Sequence, residues 1–338
     1  MVPGRSSSWL ATLLPVALAL ALAPAACGGG AGLAFDDLEG STLSAACDFA
    51  VLCGSMPDRA TCLASERTRE SLFATMRTDI ASGLVVYDSL AARRCVDDFG
   101  ALRTCSLTTL ASASKQLDAD CGAVFKGTLA TGQTCFFDEE CAGQGTCALA
   151  QCGSNMACCA GLCTAKPAQI PVGGDCSMAP VQCVDGTTCA FNPQGTSPPL
   201  LCLATAGPGQ ACSPTTGCQS PYACVTAAGA SGTCIAPSGS GQTCGAATTS
   251  FCDDGRESCD VTTNRCTPHI AVGGTCDASS AVSCVGYASC TGATCVALGG
   301  PGDSCDSTTG ALSSCLGSLE CDPATLRCTL PPAGASCR

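Results

Sequence analysis

Histidine is almost absent from this chain: its 338 residues include one, His269. A catalytic triad that relies on imidazole, or a metal site built from several imidazoles, has nothing else to draw on. His269 lies in Thr267-Pro268-His269-Ile270 and is expected as a solvated residue between repeat units. Lysine is nearly as scarce beyond the N-terminal segment, with Lys115, Lys126 and Lys166, and the net charge is −12. A nucleic-acid partner needs a basic face to displace counterions, so that class is excluded. Aromatic residues make up only 4% of the chain, and the one tryptophan is Trp9. The hydrophobic fraction of 46% consists largely of Ala, Val and Cys, each of which buries little area. A large packed core is therefore not expected, and covalent staples must replace burial. Cys-x-x-Cys pairs, favoured by thiolate zinc sites, do not occur, so neither a metal nor any other cofactor is expected. The longest apolar run, Trp9 to Ala23, falls short of the roughly 20 residues of a membrane span.

Cysteine is what the chain has in excess. Its 35 cysteines mark a disulfide scaffold in an exported protein, because a reducing cytosol would leave them as thiols. Residues 1–26 read as a signal peptide: Arg5 supplies the positive start and Trp9–Ala23 the apolar stretch. The segment ends in Ala23-Pro24-Ala25-Ala26-Cys27-Gly28. Small residues followed by Cys resemble a bacterial lipobox, although Pro24 stands where an aliphatic residue is usual. The resemblance implies that Cys27 becomes the mature N-terminus, carries the acyl chains and anchors the protein to a membrane. Gly28 in place of Asp implies sorting to the outer membrane or cell surface. The alternative is ordinary cleavage at Ala23-Pro24-Ala25, which would give a secreted protein with Cys27 as a structural thiol. Parity favours the lipid. An odd number of cysteines in an exported chain needs an explanation, and removing Cys27 leaves an even set. Residues 27–40 are then expected as a lipidated tether.

Residues 41–127 are expected to form a helical bundle pinned by three disulfides among Cys47, Cys53, Cys62, Cys95, Cys105 and Cys121. Helices are expected over about 42–53, from Asp58 to Ser82 with Gly83 as the stop, from Asp88 or Ser89 through Phe99, and over about 106–122. The phrase Gly83-Leu84-Val85-Val86-Tyr87-Asp88 between two of them is expected as a turn, with Tyr87 packed on the helices.

From 128 to 338 the chain is a cysteine-rich repeat array. A Gly-x-x-Cys phrase recurs at Cys135, Cys176, Cys212, Cys244, Cys276, Cys305 and Cys337. Most of these lie close to 32 residues apart, which is the signature of an array of about six small units. If each phrase closes a unit, every block holds an even number of cysteines. The blocks are Cys135, Cys141, Cys147, Cys152, Cys158, Cys159, Cys163 and Cys176; Cys183, Cys189, Cys202 and Cys212; Cys218, Cys224, Cys234 and Cys244; Cys252, Cys259, Cys266 and Cys276; Cys284, Cys290, Cys295 and Cys305; and Cys315, Cys321, Cys328 and Cys337. If each phrase opens a unit instead, Cys337 begins a unit with no continuation. The closing frame is therefore expected. Four cysteines allow three pairings, which spacing does not decide. Two bridges closing loops of about 15 residues would stabilise such a unit by on the order of 3 kcal/mol each. Short hairpins joined into an elongated array of small disulfide-rich modules are the expected architecture.

The run Gly-Gln-Thr-Cys135, Cys141 and Cys147, with Asp138-Glu139-Glu140 before the second cysteine, resembles Dickkopf N-terminal and EB-type cysteine-rich modules. It is also similar to bacterial cysteine-rich lipoproteins in which a helical domain with a Gly-x-Val-x-Tyr-Asp phrase precedes such modules. The resemblance implies an extracellular protein partner at most, with no active-site residues. Adjacent Cys158-Cys159 departs from a four-cysteine unit.

No catalytic constellation stands out. Asp138-Glu139-Glu140 and Asp253-Asp254-Gly255 lack the spread of ligands of a calcium loop and are expected as solvated acidic loops. Gly299-Gly300-Pro301-Gly302 reads as a turn, and Phe136-Phe137 as packing within the first unit. The expected function is an exported structural or protein-binding envelope lipoprotein without catalysis or a small-molecule substrate. A protease inhibitor built on stapled loops is the alternative, because rigid loops lose little entropy on binding. An enzyme would need a deep pocket with converging polar groups in residues 41–127.

Overall fold

The computed structural model describes residues 31–66, 70–149, 160–177, 181–192, 194–195, 197–213, 217–225, 231–245, 251–277, 282–305 and 314–331. The leader, Cys27, Cys152, Cys158, Cys159 and Cys337 lie outside the described residues.

Five helices come first: α1 (Phe35–Leu52), α2 (Arg59–Ser65), α3 (Glu70–Ser82), α4 (Ser89–Gly100) and α5 (Leu107–Cys121). Their starts are written in side chains that accept otherwise unpaired amides. Asp58 accepts from Thr61 N, Asp88 from Leu90 N and Ala91 N, and Ser106 from Thr109 N. α3 stops at Gly83, whose φ of 77° is cheap only for glycine. Leu33, Leu38, Ala91, Ala92 and Val124 form a small core under Phe73, Tyr87 and Phe125. Three disulfides close within this region: Cys47–Cys62, Cys53–Cys105 and Cys95–Cys121.

Three sequence boundaries change. The expected tether runs to 40, but Leu33 is already buried and α1 begins at Phe35. The single helix expected over 58–82 is two, because Glu66 is extended (φ −96°, ψ 137°). The turn expected at 83–88 contains a strand, β1 (Val85–Tyr87), paired antiparallel with β2 (Phe125–Gly127). Tyr87 does pack on the helices: its ring meets Phe35 edge-on and its hydroxyl donates to Leu33 O at 2.8 Å.

The remainder is six modules with one design. Each has an antiparallel hairpin in which the third and fourth of its described cysteines face each other in register: Cys147 and Cys163 (with Cys152, Cys158 and Cys159 between them in sequence), Cys189 and Cys202, Cys224 and Cys234, Cys259 and Cys266, Cys290 and Cys295, Cys321 and Cys328. The facing cysteines are not bonded to each other. Of the described cysteines, the first bonds the third and the second bonds the fourth: Cys135–Cys147 with Cys141–Cys163, Cys176–Cys189 with Cys183–Cys202, and Cys212–Cys224 with Cys218–Cys234. The pattern continues as Cys244–Cys259 with Cys252–Cys266, Cys276–Cys290 with Cys284–Cys295, and Cys305–Cys321 with Cys315–Cys328. These bonds overturn the closing frame, because Gly-x-x-Cys opens each module.

The backbone explains why. The phrase glycine has positive φ in all six modules, from 69° at Gly241 to 86° at Gly132. That conformation turns its amide onto the carbonyl of the module's fourth cysteine, as in Gly132 N to Cys163 O (2.7 Å) and Gly302 N to Cys328 O (2.8 Å). The next residue accepts back from the same cysteine, as in Cys163 N to Gln133 O (2.8 Å). Where that next residue is Gln or Asp, its side chain also accepts the amide three residues earlier, as Gln210 does from Gly207 (2.8 Å) and Asp303 from Gly300 (2.8 Å). Where it is glycine, an isoleucine occupies the space: a Cβ on Gly174 or Gly274 would lie 2.4 or 2.5 Å from Ile170 or Ile270 Cγ2.

The array does not run away from the helices as expected of an elongated chain. The first module packs Phe137 against Met76 and Val85. The fourth meets the start of α5, with Gly255 N donating to Cys105 O at 2.9 Å. In the fifth, Gly286 N donates to Gly54 O at 2.9 Å, and a Cβ there would lie 2.9 Å from Ser55 Cα. The sixth buries Leu316 with Cys47, Met56 and Cys62. Ser318 donates through N to Ser65 O (3.1 Å) and through Oγ to Glu66 Oε2 (2.8 Å), which accounts for the extended backbone at Glu66. The modules curl back around the helices. Little core per unit leaves each module apolar surface to cover, and the helices supply the other half.

Candidate functional site

The polar chemistry concentrates on the seams between helices and modules. Asp253, next to the second cysteine of the fourth module, caps α5 from outside its own segment. Its Oδ1 accepts from Thr108 N (2.9 Å) and Thr108 Oγ1 (2.8 Å), and its Oδ2 from Ser106 Oγ (2.6 Å). Burial pushes this carboxyl up, but the bonds from Ser106 and Thr108 outweigh burial and hold it below the ordinary aspartate range. Asp254 is held low by the Arg256 guanidinium, with an N–O distance of 2.6 Å. The expected solvated loop at 253–255 is thus a docking contact, because the start of a helix attracts a carboxylate.

The other acidic phrase is also built in. Glu140 is fully buried, with Oε2 accepting from Phe136 N at 2.8 Å, and Asp138 Oδ1 accepts from Cys147 N at 2.6 Å. Short loops leave amides unpaired, and these carboxylates satisfy them. Phe137 packs on the helices rather than within its own module. His269 is half-buried, its amide donates to Arg256 O at 2.9 Å, and burial lowers its pKa, so it is not a solvated linker residue. Gly302 (φ 82°) and the Gly300–Asp303 contact form the expected turn at 299–302.

Asp98 and Asp120 meet between α4 and α5, beside the Cys95–Cys121 bond. Arg94 Nε donates to Asp120 Oδ1 at 2.7 Å, and Gln116 Nε2 donates to its other oxygen. Arg94 and Gln116 hold Asp120 low, whereas burial and the hydrogen bond with Asp120 push Asp98 up. The two carboxyl groups therefore differ in proton affinity because of their surroundings. Open grooves lie nearby. One of about 510 Å³ runs between α1 and α4, lined by Ser44, Asp48, Asp97 and Arg103. Another of about 590 Å³ lies between α5 and the third and fourth modules, lined by Leu107, Leu110, Tyr222 and Phe251.

The sulfur atoms of the modules also gather, with three in each cluster lying within 4.8 Å of one another, as at Cys135, Cys141 and Cys163. These are neighbouring disulfides whose sulfurs are bonded already, which removes the thiolates a soft metal would need.

The seam residues carry no sequence signal of their role. Asp253 stands one residue after Cys252, where it acts on a segment some 145 residues distant. No local pattern connects the two. The described residues define a small disulfide-rich protein of repeated hairpin modules, a fold that belongs to an oxidising environment outside the cytosol. Among them, no helix is long and apolar enough to cross a membrane. No family model, curated protein or solved structure matches the chain.

Proposed function

We propose that this chain is an exported cell-envelope lipoprotein, held by acyl chains on Cys27, that works as a non-catalytic structural or protein-binding surface. The resemblance to bacterial lipoproteins with Dickkopf N-terminal-like modules belongs to the same reading, as does a disulfide-pinned bundle at the N-terminal end. The observation that carries it is the pairing itself. Among the described residues each module holds two staples, and carboxylates such as Asp138 and Asp253 accept main-chain amides of loops and seams. Such a body presents a rigid surface, and a rigid surface binds a partner with little loss of conformational entropy. The test is intact mass of the mature protein with and without reduction, alongside detergent-phase partitioning of the wild type and Cys27→Ala. The expected result is a lipid-modified N-terminal Cys27, no free thiol, and transfer of Cys27→Ala to the aqueous phase. An unmodified N-terminus upstream of Cys27 overturns the reading.

A further inference from the structure

The hold on Gly32 and Leu33, so soon after Cys27 in sequence, limits which face of the body can lie closest to a lipid anchor. Leu33 N donates to Ser89 O at 2.9 Å, and Leu33 O accepts from Tyr87 Oη at 2.8 Å. Gly32 passes so near Ser89 that a Cβ there would lie 2.3 Å from its Oγ. The chain is therefore clamped between Tyr87 and Ser89. Only residues 28–32 separate that clamp from Cys27, a reach of roughly 20 Å when fully extended.

The clamp is flanked by two of the exposed large apolar side chains of the molecule, Val86 (53% exposed) and Leu90 (52% exposed). They belong to one surface. Val86 pairs in register with Lys126, Lys126 Nζ meets Asp88 Oδ2 at 2.9 Å, and Asp88 Oδ1 accepts from Leu90 N at 3.2 Å. Val86 faces out because Val85 and Tyr87, its neighbours on β1, are turned into the body.

We propose that Val86 and Leu90 form the membrane-apposed face of the protein, in contact with the lipid surface that holds the Cys27 acyl chains. This rests on the lipoprotein reading above. The short tether keeps the clamp within a few residues' length of the interface, and the side chains on either side of it are apolar. The cations on this side are already paired, Lys126 with Asp88 and, one turn on from Leu90, Arg93 with Asp97 and Arg94 with Asp120, so the contact depends on apolar burial rather than on anionic headgroups.

Once the leader carrying Trp9 is removed, the chain has no tryptophan, so single reporters are clean. The lipidated full-length protein, carrying Val86→Trp, Leu90→Trp or, as a control on the second module, Phe191→Trp, is placed in phosphatidylcholine vesicles with brominated acyl chains. Both native residues near the clamp are exposed, so neither substitution disturbs the core. The control position is more exposed still, at 71% for Phe191. The expected result is quenching of the Val86→Trp and Leu90→Trp proteins at least about twofold that of the control, with little change in high salt. Equal or weaker quenching, in protein whose mass shows lipid on Cys27, overturns this face and leaves the lipoprotein reading standing. Absence of lipid from the mature mass overturns both.

Discussion

Asp98 sits where a carboxylate is poorly placed: partly buried between α4 and α5, and next to Asp120, whose charge Arg94 and Gln116 already stabilise. A carboxyl whose folded pKa is raised stabilises the fold below its unfolded pKa and loses that contribution as pH rises through the folded value. Asp98→Asn should therefore raise the melting temperature at pH 7 by roughly 2–4 °C. The gain should vanish as pH falls below the ordinary aspartate range. A melting series from pH 3 to pH 8 checks this, and a gain that persists unchanged in acid would be inconsistent with it. Individual residues were the hardest feature to read from the sequence. Asp138, Glu140 and Asp253 look like solvated acids in sequence because their partners are main-chain amides, which every residue has and no motif marks. Helix caps are the exception. Asp58, Asp88 and Ser106 stand at the starts predicted from the spacing of apolar residues, since a cap acts within three residues of itself.

At the scale of elements, the module period was legible and its frame was not. Counting cysteines rewards any division into even blocks, whereas the frame is set by the positive φ of the phrase glycine and its bond to the fourth cysteine. The glycine three residues before each opening cysteine points to a hairpin partner downstream, but only through a backbone conformation that spacing does not reveal. Pairing was undecidable from spacing, because the facing cysteines of each hairpin invite a bond that they do not make. Proteolysis under non-reducing conditions, followed by peptide mass mapping, should recover Cys244–Cys259 and Cys252–Cys266 as separate cross-links in the fourth module. A Cys259–Cys266 cross-link in native protein would contradict the module design. Removing one staple, as in a Cys252→Ala/Cys266→Ala pair, should destabilise the module by about 3 kcal/mol for a loop of this length.

For the molecule as a whole, the composition foretold small modules but not their return to the helices. Nearest-neighbour reasoning predicts an extended array, and it fails where a distant seam adds a polar lock to a shared apolar surface. Asp253 is the clearest such lock. Its folded pKa is depressed, so its contribution is present above the ordinary aspartate pKa and is lost as pH falls through the lowered value. Asp253→Ala leaves the Ser106 cap of α5 in place but removes the acceptor for Thr108 N, and should weaken the seam by roughly 1–2 kcal/mol at neutral pH. Hydrogen exchange should then quicken at residues 107–110 and 252–257 while the sixth module is unchanged. Equal protection in the variant and the wild type at pH 7 would show that the seam does not depend on the carboxylate.

The interleaved pairing has a consequence for how the chain matures. Every staple seen in the array closes inside its own module, between cysteines at most 22 residues apart. The two described bonds of each unit can form as soon as the later hairpin cysteine has entered the oxidising environment, without waiting for a thiol of any later unit. Copying or deleting one unit in the gene would therefore leave every other described bond with its original partner. Among the described residues, the bonds of the modules behave as closed local circuits, and only the seams connect them into one body.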